Sequence, residues 1–170
     1  MEAELNKSDN CIQLKNENIL KIGINDENGI FTGDYLEFDL EDIELPLIYQ
    51  KLREDDKSNK YNLKQKLFII SKKQDHTGKK LLSSNEEESL KAMKDFFDKE
   101  IEIYNMFLGK NGVQKLLHGR KIRWTTLREI DEIVAKDIFP KLKIEEKSIE
   151  NKINMIKSKY LDTSKDNILE

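Results

Sequence analysis

The stretch SNEEESLKAMKDFFDKEIEIYNMFLGKNGVQKLLHGR, residues 84–120, decides the fold. Leu90, Met93, Phe97, Ile101, Tyr104 and Leu108 recur at steps of three and four, which lines them along one helical face. Phe96, Ile103 and Phe107 widen that face, so this helix is expected to contribute most of the core. Ser84 with Glu87 three residues on reads as a capping box, and Gly109 stands where a left-handed C-terminal cap is wanted. Past it, Asn111 or Gly112 opens a short helix carrying Val113, Leu116 and Leu117, and Gly119 closes it.

Toward the N-terminus, residues 1–17 are polar and without periodicity, and are expected to be a flexible lead. Leu20, Ile22 and Ile24 then alternate, as do Leu36, Phe38 and Leu40. Asn25-Asp-Glu-Asn-Gly29 between them is a turn signal, because Asn-Gly supplies the positive φ a hairpin needs. Gly33-Asp34 reads as a bulge or second turn. The hairpin must lie on helices, since an isolated one is marginal. Asp42 is expected to begin the next helix, with Pro46 near its first turn and Leu45, Ile48, Tyr49 and Leu52 as its stripe. Residues 53–60 are wholly polar and imply either a turn or helix projecting past the core. Leu63, Leu67 and Ile70 restore helical spacing, although 67–70 also fits a short strand, and 71–83 reads as an exposed loop.

Toward the C-terminus, Ile122 and Trp124, the only tryptophan, pin the connection. Thr126 with Glu129 suggests a second capping box, and Leu127, Ile130, Ile133, Val134 and Ile138 mark a helix that Pro140 must stop or kink. Ile149, Ile153, Ile156 and Tyr160 form a narrow seam on a last helix, suited to an arm or coiled coil, with packing inside the chain as the default. Residues 162–170 look frayed. The fold class expected is α+β, mainly α: an N-terminal β-hairpin on a bundle of about four to five helices, as one domain over 18–161.

A 170-residue chain suits one domain. Hydrophobic and charged residues each make up 37%, so the core is modest and the surface heavily charged. One cysteine, Cys11, excludes an internal disulfide and a cysteine-based zinc cluster. No apolar run approaches membrane-spanning length, and residues 1–13 lack the order of a secretion signal, so a cytoplasmic location and no membrane partner are expected. The net charge of −3 conceals blocks. Acids crowd 34–44, lysines dominate 57–80, and no acid occurs between Ile103 and Arg128. Such blocks suggest charge-complementary protein contacts.

Neither His76 nor His118 has a metal-ligand spacing around it, and no phosphate-loop, dinucleotide or nucleophile-elbow motif occurs. Gly109-Lys-Asn-Gly112 has the wrong spacing for a phosphate loop. The acids of 34–44 lack the calcium-loop pattern, and Asp131/Glu132 and Glu145/Glu146 read as helix-surface charges. No catalytic, cofactor or metal residue is assigned. His118 reads as a helix cap or a partner contact. Lys110, Lys115, His118, Arg120, Lys121, Arg123, Trp124 and Arg128 form the candidate partner-binding segment. An aromatic among cations can stack on bases, but Trp124 lies between Ile122 and Leu127 and reads as a core or hinge anchor. The sequence pI near 5.6 also opposes a general phosphate binder.

Ile19-Leu-Lys-Ile-Gly-Ile-Asn-Asp-Glu-Asn-Gly-Ile-Phe-Thr-Gly, Leu36-Glu-Phe-Asp-Leu and Phe107-Leu-Gly-Lys-Asn-Gly-Val-Gln-Lys-Leu-Leu carry a resemblance. In these segments the chain resembles small prophage proteins of Gram-positive, low-GC bacteria, and within them the tail assembly chaperones of long-tailed phages. The resemblance implies a non-enzymatic protein of the bacterial host's cytoplasm that binds the tape-measure or tail tube protein. A groove beside Phe96, Ile103 and Phe107 and the basic turn 110–123 are the contacts expected. Two alternatives stand beside it. One is a small phage-encoded inhibitor of a host defence nuclease, anti-CRISPR-like in kind. The other is a nucleic-acid-binding module using 115–128.

Overall fold

The computed structural model of the protein describes residues 18–78, 81–144 and 146–161. The expectations for the lead 1–17 with Cys11, for Lys79, Lys80 and Glu145, for the side chain of Tyr160 and for the tail 162–170 lie outside the described residues. Strands β1 (Ile19–Asn25) and β2 (Phe31–Asp39) are followed by α1 (Leu45–Ser71), α2 (Ser84–Leu108), α3 (Gly112–Leu117) and α4 (Trp124–Ile133). A π-helical turn (Val134–Ile138), a 3-10 turn (Phe139–Leu142) and α5 (Glu146–Leu161) complete the chain. The fold is α+β and mainly helical, with an N-terminal hairpin and five α-helices, as expected.

The hairpin is antiparallel, with Leu20 opposite Phe38 and Ile22 opposite Leu36. Ile24, Leu36 and Phe38 are buried and Leu20, Ile22 and Leu40 half-buried, so the alternation read in the sequence sets the inward face. Asp26 closes the turn by accepting hydrogen bonds from the backbone N–H groups of Asn28 and Ile30. The register slips between Gly23 and Asn25, opposite Gly33 at φ +89°, which makes Gly33 a bulge rather than a second turn. Phe38 meets Phe107 of α2 with ring centroids 5.5 Å apart, which seats the sheet on the helices.

Helix α1 corrects one expectation and decides between the alternatives at two others. It begins at Leu45, and Asp42 instead accepts the Glu44 N–H in the preceding turn. It runs unbroken through 53–60 and through 67–70. The polar stretch neither turns nor projects into water. Asp56 is buried there, and the Asn59 side-chain amide donates to the carbonyl of Phe96 and to Glu100 on α2. The pairs Asn59–Glu100 and Lys73–Glu88 show that α1 and α2 run antiparallel.

Helix α2 is capped by Ser83 and Glu86, one residue earlier than the sequence suggested: Ser83 Oγ accepts the Glu86 N–H, and Glu86 accepts the Ser83 N–H at 2.8 Å. Ser84 is used differently, donating its hydroxyl to Asp75 of the incoming loop at 3.2 Å. The buried face follows Ala92, Phe96, Glu100, Ile103, Tyr104, Phe107 and Leu108. Leu90 is exposed, and Met93, Phe97 and Ile101 flank the face rather than centre it. Counting only apolar residues displaced the stripe, because its middle is occupied by a carboxylic acid. Gly109 has the expected positive φ, but at φ +83° and ψ −179° it occupies a glycine-only region rather than the left-handed helical one.

Helix α4 begins at Trp124, two residues before the capping box read from Thr126 and Glu129. Thr126 is instead the third helical residue, its hydroxyl accepting the Arg123 N–H at 2.7 Å. The helix widens into the π turn and then tightens into the 3-10 turn that contains Pro140. Pro140 lacks the N–H that a continuing α-helix needs. Val134, Ile138 and Leu142 remain buried through this change of pitch. Burying each such side chain stabilises the fold by about 1.5–3 kcal/mol.

Candidate partner-binding surfaces

The basic segment 110–128 divides into joints and free cations. Lys115 donates its ammonium to the carbonyl of Tyr35 at 2.8 Å and ties α3 to β2. His118 caps α3 with φ +44°, its N–H donating to the Gln114 carbonyl. Arg120 lies 3.5 Å from Glu27 of the hairpin turn and 3.3 Å from Glu129 of α4. With His118, Asp26 and Glu27 it borders an open depression of about 270 Å³. The carboxylates there are already engaged. Two turn N–H groups, chiefly that of Ile30, hold Asp26 below the usual carboxylate range, with His118 adding to the effect.

Lys110, Lys121, Arg123 and Arg128 are exposed and make no ion pair among the described residues. Trp124 is both anchor and surface. One face stacks on Phe96 at 5.0 Å and 26°, its edge meets Phe97 at 4.9 Å, and half of the residue stays exposed. Trp124, Leu127, Arg128 and Asp131 surround a hollow of about 340 Å³ with Lys60 of α1. Sequence reasoning missed Lys60, which lies 64 positions before Trp124 and is brought there only by tertiary packing.

Behind this hollow lies a polar seam that no spacing announced. Asp131 was expected to be an ordinary surface charge. It is half-buried, bound by the guanidinium of Arg53 and by the hydroxyl of Tyr104 at 2.9 Å. Burial pushes its pKa up, but the bonds from Arg53 and Tyr104 outweigh this and hold it below the usual value. Burial pushes the Tyr104 hydroxyl well above its ordinary range, so it remains a proton donor.

Phe96, Ile103 and Phe107 do not line one groove together: all three are buried at 3–4% exposure, and only Phe96 borders a hollow of about 370 Å³, with Leu63, Ile69 and Ala92. The large apolar concavity lies elsewhere. It is a cleft of about 680 Å³ with Leu45, Pro46 and Tyr49 of α1 on one wall and Ile149, Ile153 and Ile156 of α5 on the other. Phe139 and Leu142 form its base, and Phe139 stacks on Tyr49 at 4.0 Å. The seam read on α5 does face the chain's own body, but across open space: Ile153 and Ile156 are 45% and 41% exposed. At the rim Ile43 and Leu47 are 64% and 65% exposed. Lys152 ties the α5 wall to the end of the hairpin by donating to the Leu40 carbonyl at 2.9 Å. The α5 stripe was legible as a 4-3 spacing; the void beneath it was not.

Among the described residues no three His, Cys, Asp or Glu side chains gather where a metal ion could bind. Among the same residues, no helix is long and apolar enough to cross a membrane. No family model matches the chain, and neither a curated protein nor a solved structure shows significant similarity to it.

Proposed function

We propose that the protein is a non-enzymatic binding protein that holds an amphipathic helix of a partner protein in the cleft between α1 and α5, as a phage tail assembly chaperone would. The observation that carries this reading is the apolar lining of that cleft on both helical walls, with Ile43, Leu47, Ile153 and Ile156 left open to water. A chain with 37% charged residues that still exposes aliphatic side chains around one concavity invites a protein rather than a phosphate backbone. Two helical walls offer a third helix the ridges and grooves of ordinary helix packing. Lys143 at the rim makes no ion pair among the described residues and suits an acidic flank on the occupant. The partners to try are tape-measure and tail tube proteins.

The test is capture of tape-measure or tail tube fragments by the immobilised protein. The double variant Leu47→Asp/Ile153→Asp should abolish capture while leaving the circular dichroism spectrum unchanged. Undiminished capture by that variant would overturn the cleft as the binding site.

A second reading has its own observation, the open half of Trp124 beside Arg123 and Arg128. A base can stack on such a ring while the arginines neutralise phosphates. It requires binding of single-stranded RNA or DNA that falls steeply with salt and disappears in Trp124→Ala.

A further inference from the structure

The α1–α2 seam contains two carboxyl groups removed from water. Glu100 is 0% exposed and Asp56 5%. Glu100 accepts a hydrogen bond from the Asn59 amide at 2.6 Å through Oε1. Its other oxygen, Oε2, is buried with no hydrogen-bond donor. The Lys60 ammonium lies 2.9 Å from Asp56 Oδ2 and 2.7 Å from Oδ1, so a cation stands beside both Asp56 oxygens and the orphaned acceptor is Glu100 Oε2. A buried carboxylate oxygen without a donor, beside a second buried acid, is strongly unfavourable if both acids are ionised. A single proton removes the difficulty, because a protonated carboxyl is also a donor.

We propose that Asp56 and Glu100 share one proton, held on Glu100 and donated to Asp56, and that this proton is a pH-sensitive lock between α1 and α2. The groups facing the pair are Arg53, Asn59 and Lys60 from α1, Tyr104 from α2 and Asp131 from α4. Arg53 and Tyr104 are committed to Asp131, which leaves Lys60 as the cation at the pair, on Asp56. Burial, helped by the charge of Asp56 and opposed by Asn59 and Lys60, pushes Glu100 up to about 7. The proton is therefore lost within the neutral range rather than at the acid values where surface carboxylates titrate. Once it leaves, two negative charges face each other across a seam that also carries the partly buried Asp131.

The sign follows from linkage. The folded state keeps a proton that the unfolded chain releases near 4.5, so stability is full below that value and declines as pH rises toward 7. Between those values the unfolding constant rises by up to about tenfold per pH unit. The depressed carboxylates Asp26, Glu37, Asp75 and Asp131 act oppositely and at lower pH, so the windows separate.

The experiment is urea unfolding of the full chain at pH 5, 6, 7 and 8, for wild type and for Glu100→Gln. The glutamine keeps the acceptor for Asn59 and supplies a permanent donor toward Asp56. Wild type should lose stability from pH 5 to 7 and level off by pH 8, and the wild-type slope should be absent from Glu100→Gln. Equal slopes in the two proteins would overturn the proposal. Infrared spectroscopy of the wild type settles the matter even if the variant fails to fold. A protonated-carboxyl C=O band should persist at pH 6 and vanish by pH 8, and its absence at pH 6 would also overturn the lock.

Discussion

Tyr104 donates its hydroxyl to Asp131 across 2.9 Å, joining the second half of α2 to the last turn of α4. Arg53 of α1 binds the same carboxylate, so three helices converge on one acid. Tyr104→Phe is expected to cost about 1–2 kcal/mol, and Asp131→Asn about 2–3 kcal/mol because it also strips Arg53 of its partner. The Asp131 pKa is depressed, so its contribution is present above the ordinary aspartate value of about 4 and is lost as pH falls through the folded value. Urea midpoints should therefore separate wild type from Asp131→Asn at pH 7 and draw together as pH falls below the ordinary aspartate value.

The register of the α2 cap predicts a contrast between Ser83 and Glu87. Ser83→Ala removes the acceptor for the Glu86 N–H and should lower stability by about 1 kcal/mol. Glu87 reaches out to Lys91 at 2.7 Å on the helix surface, so Glu87→Ala should change stability by less than about 0.5 kcal/mol. A larger loss in Glu87→Ala would place the cap at Ser84 instead. Thermal unfolding of the two variants decides between the registers.

Gly112 lets α3 press against the end of α2. A Cβ on this residue would stand 2.4 Å from the Cβ of Leu108 and 3.6 Å from a methyl of Leu36. Gly112→Ala should therefore destabilise by about 1–3 kcal/mol despite alanine's better helix propensity. Gly78, which has nothing within 4 Å of such an atom, is the control, and Gly78→Ala should be close to neutral.

The cleft variants should dissociate stability from binding. Leu47 is 65% exposed, so Leu47→Asp is expected to shift folding stability by no more than about 0.5 kcal/mol. Ile138, only 1% exposed in the core, should cost about 2–5 kcal/mol on conversion to alanine. Chemical denaturation of both variants checks this difference between an exposed position at the cleft rim and a filled one.

The alternation of the hairpin, the length of α2 and the break at Pro140 were legible because each is a local pattern with a local cause. The unbroken course of α1 was not. Asp56 and Asn59 look like surface residues until Glu100 faces them from α2, and no window along one helix contains its neighbour's side chain. The displaced stripe of α2 has the same origin, since Glu100 takes a core position that hydrophobic counting leaves blank. The basic segment was read correctly as cationic, but its sequence does not distinguish Lys115 and Arg120, which close joints to the hairpin, from Arg123 and Arg128, which do not. The cleft escaped because it is a relation between two helices about a hundred residues apart.

Because α1 continues without interruption, Tyr49 on the cleft wall and Asp56 in the acid pair ride on a single rod. Seven residues separate them, roughly 10 Å of helix rise. The two places are therefore joined by one continuous element rather than by a loop. Leu52, which is 0% exposed, lies between them and fixes the middle of that span to the core.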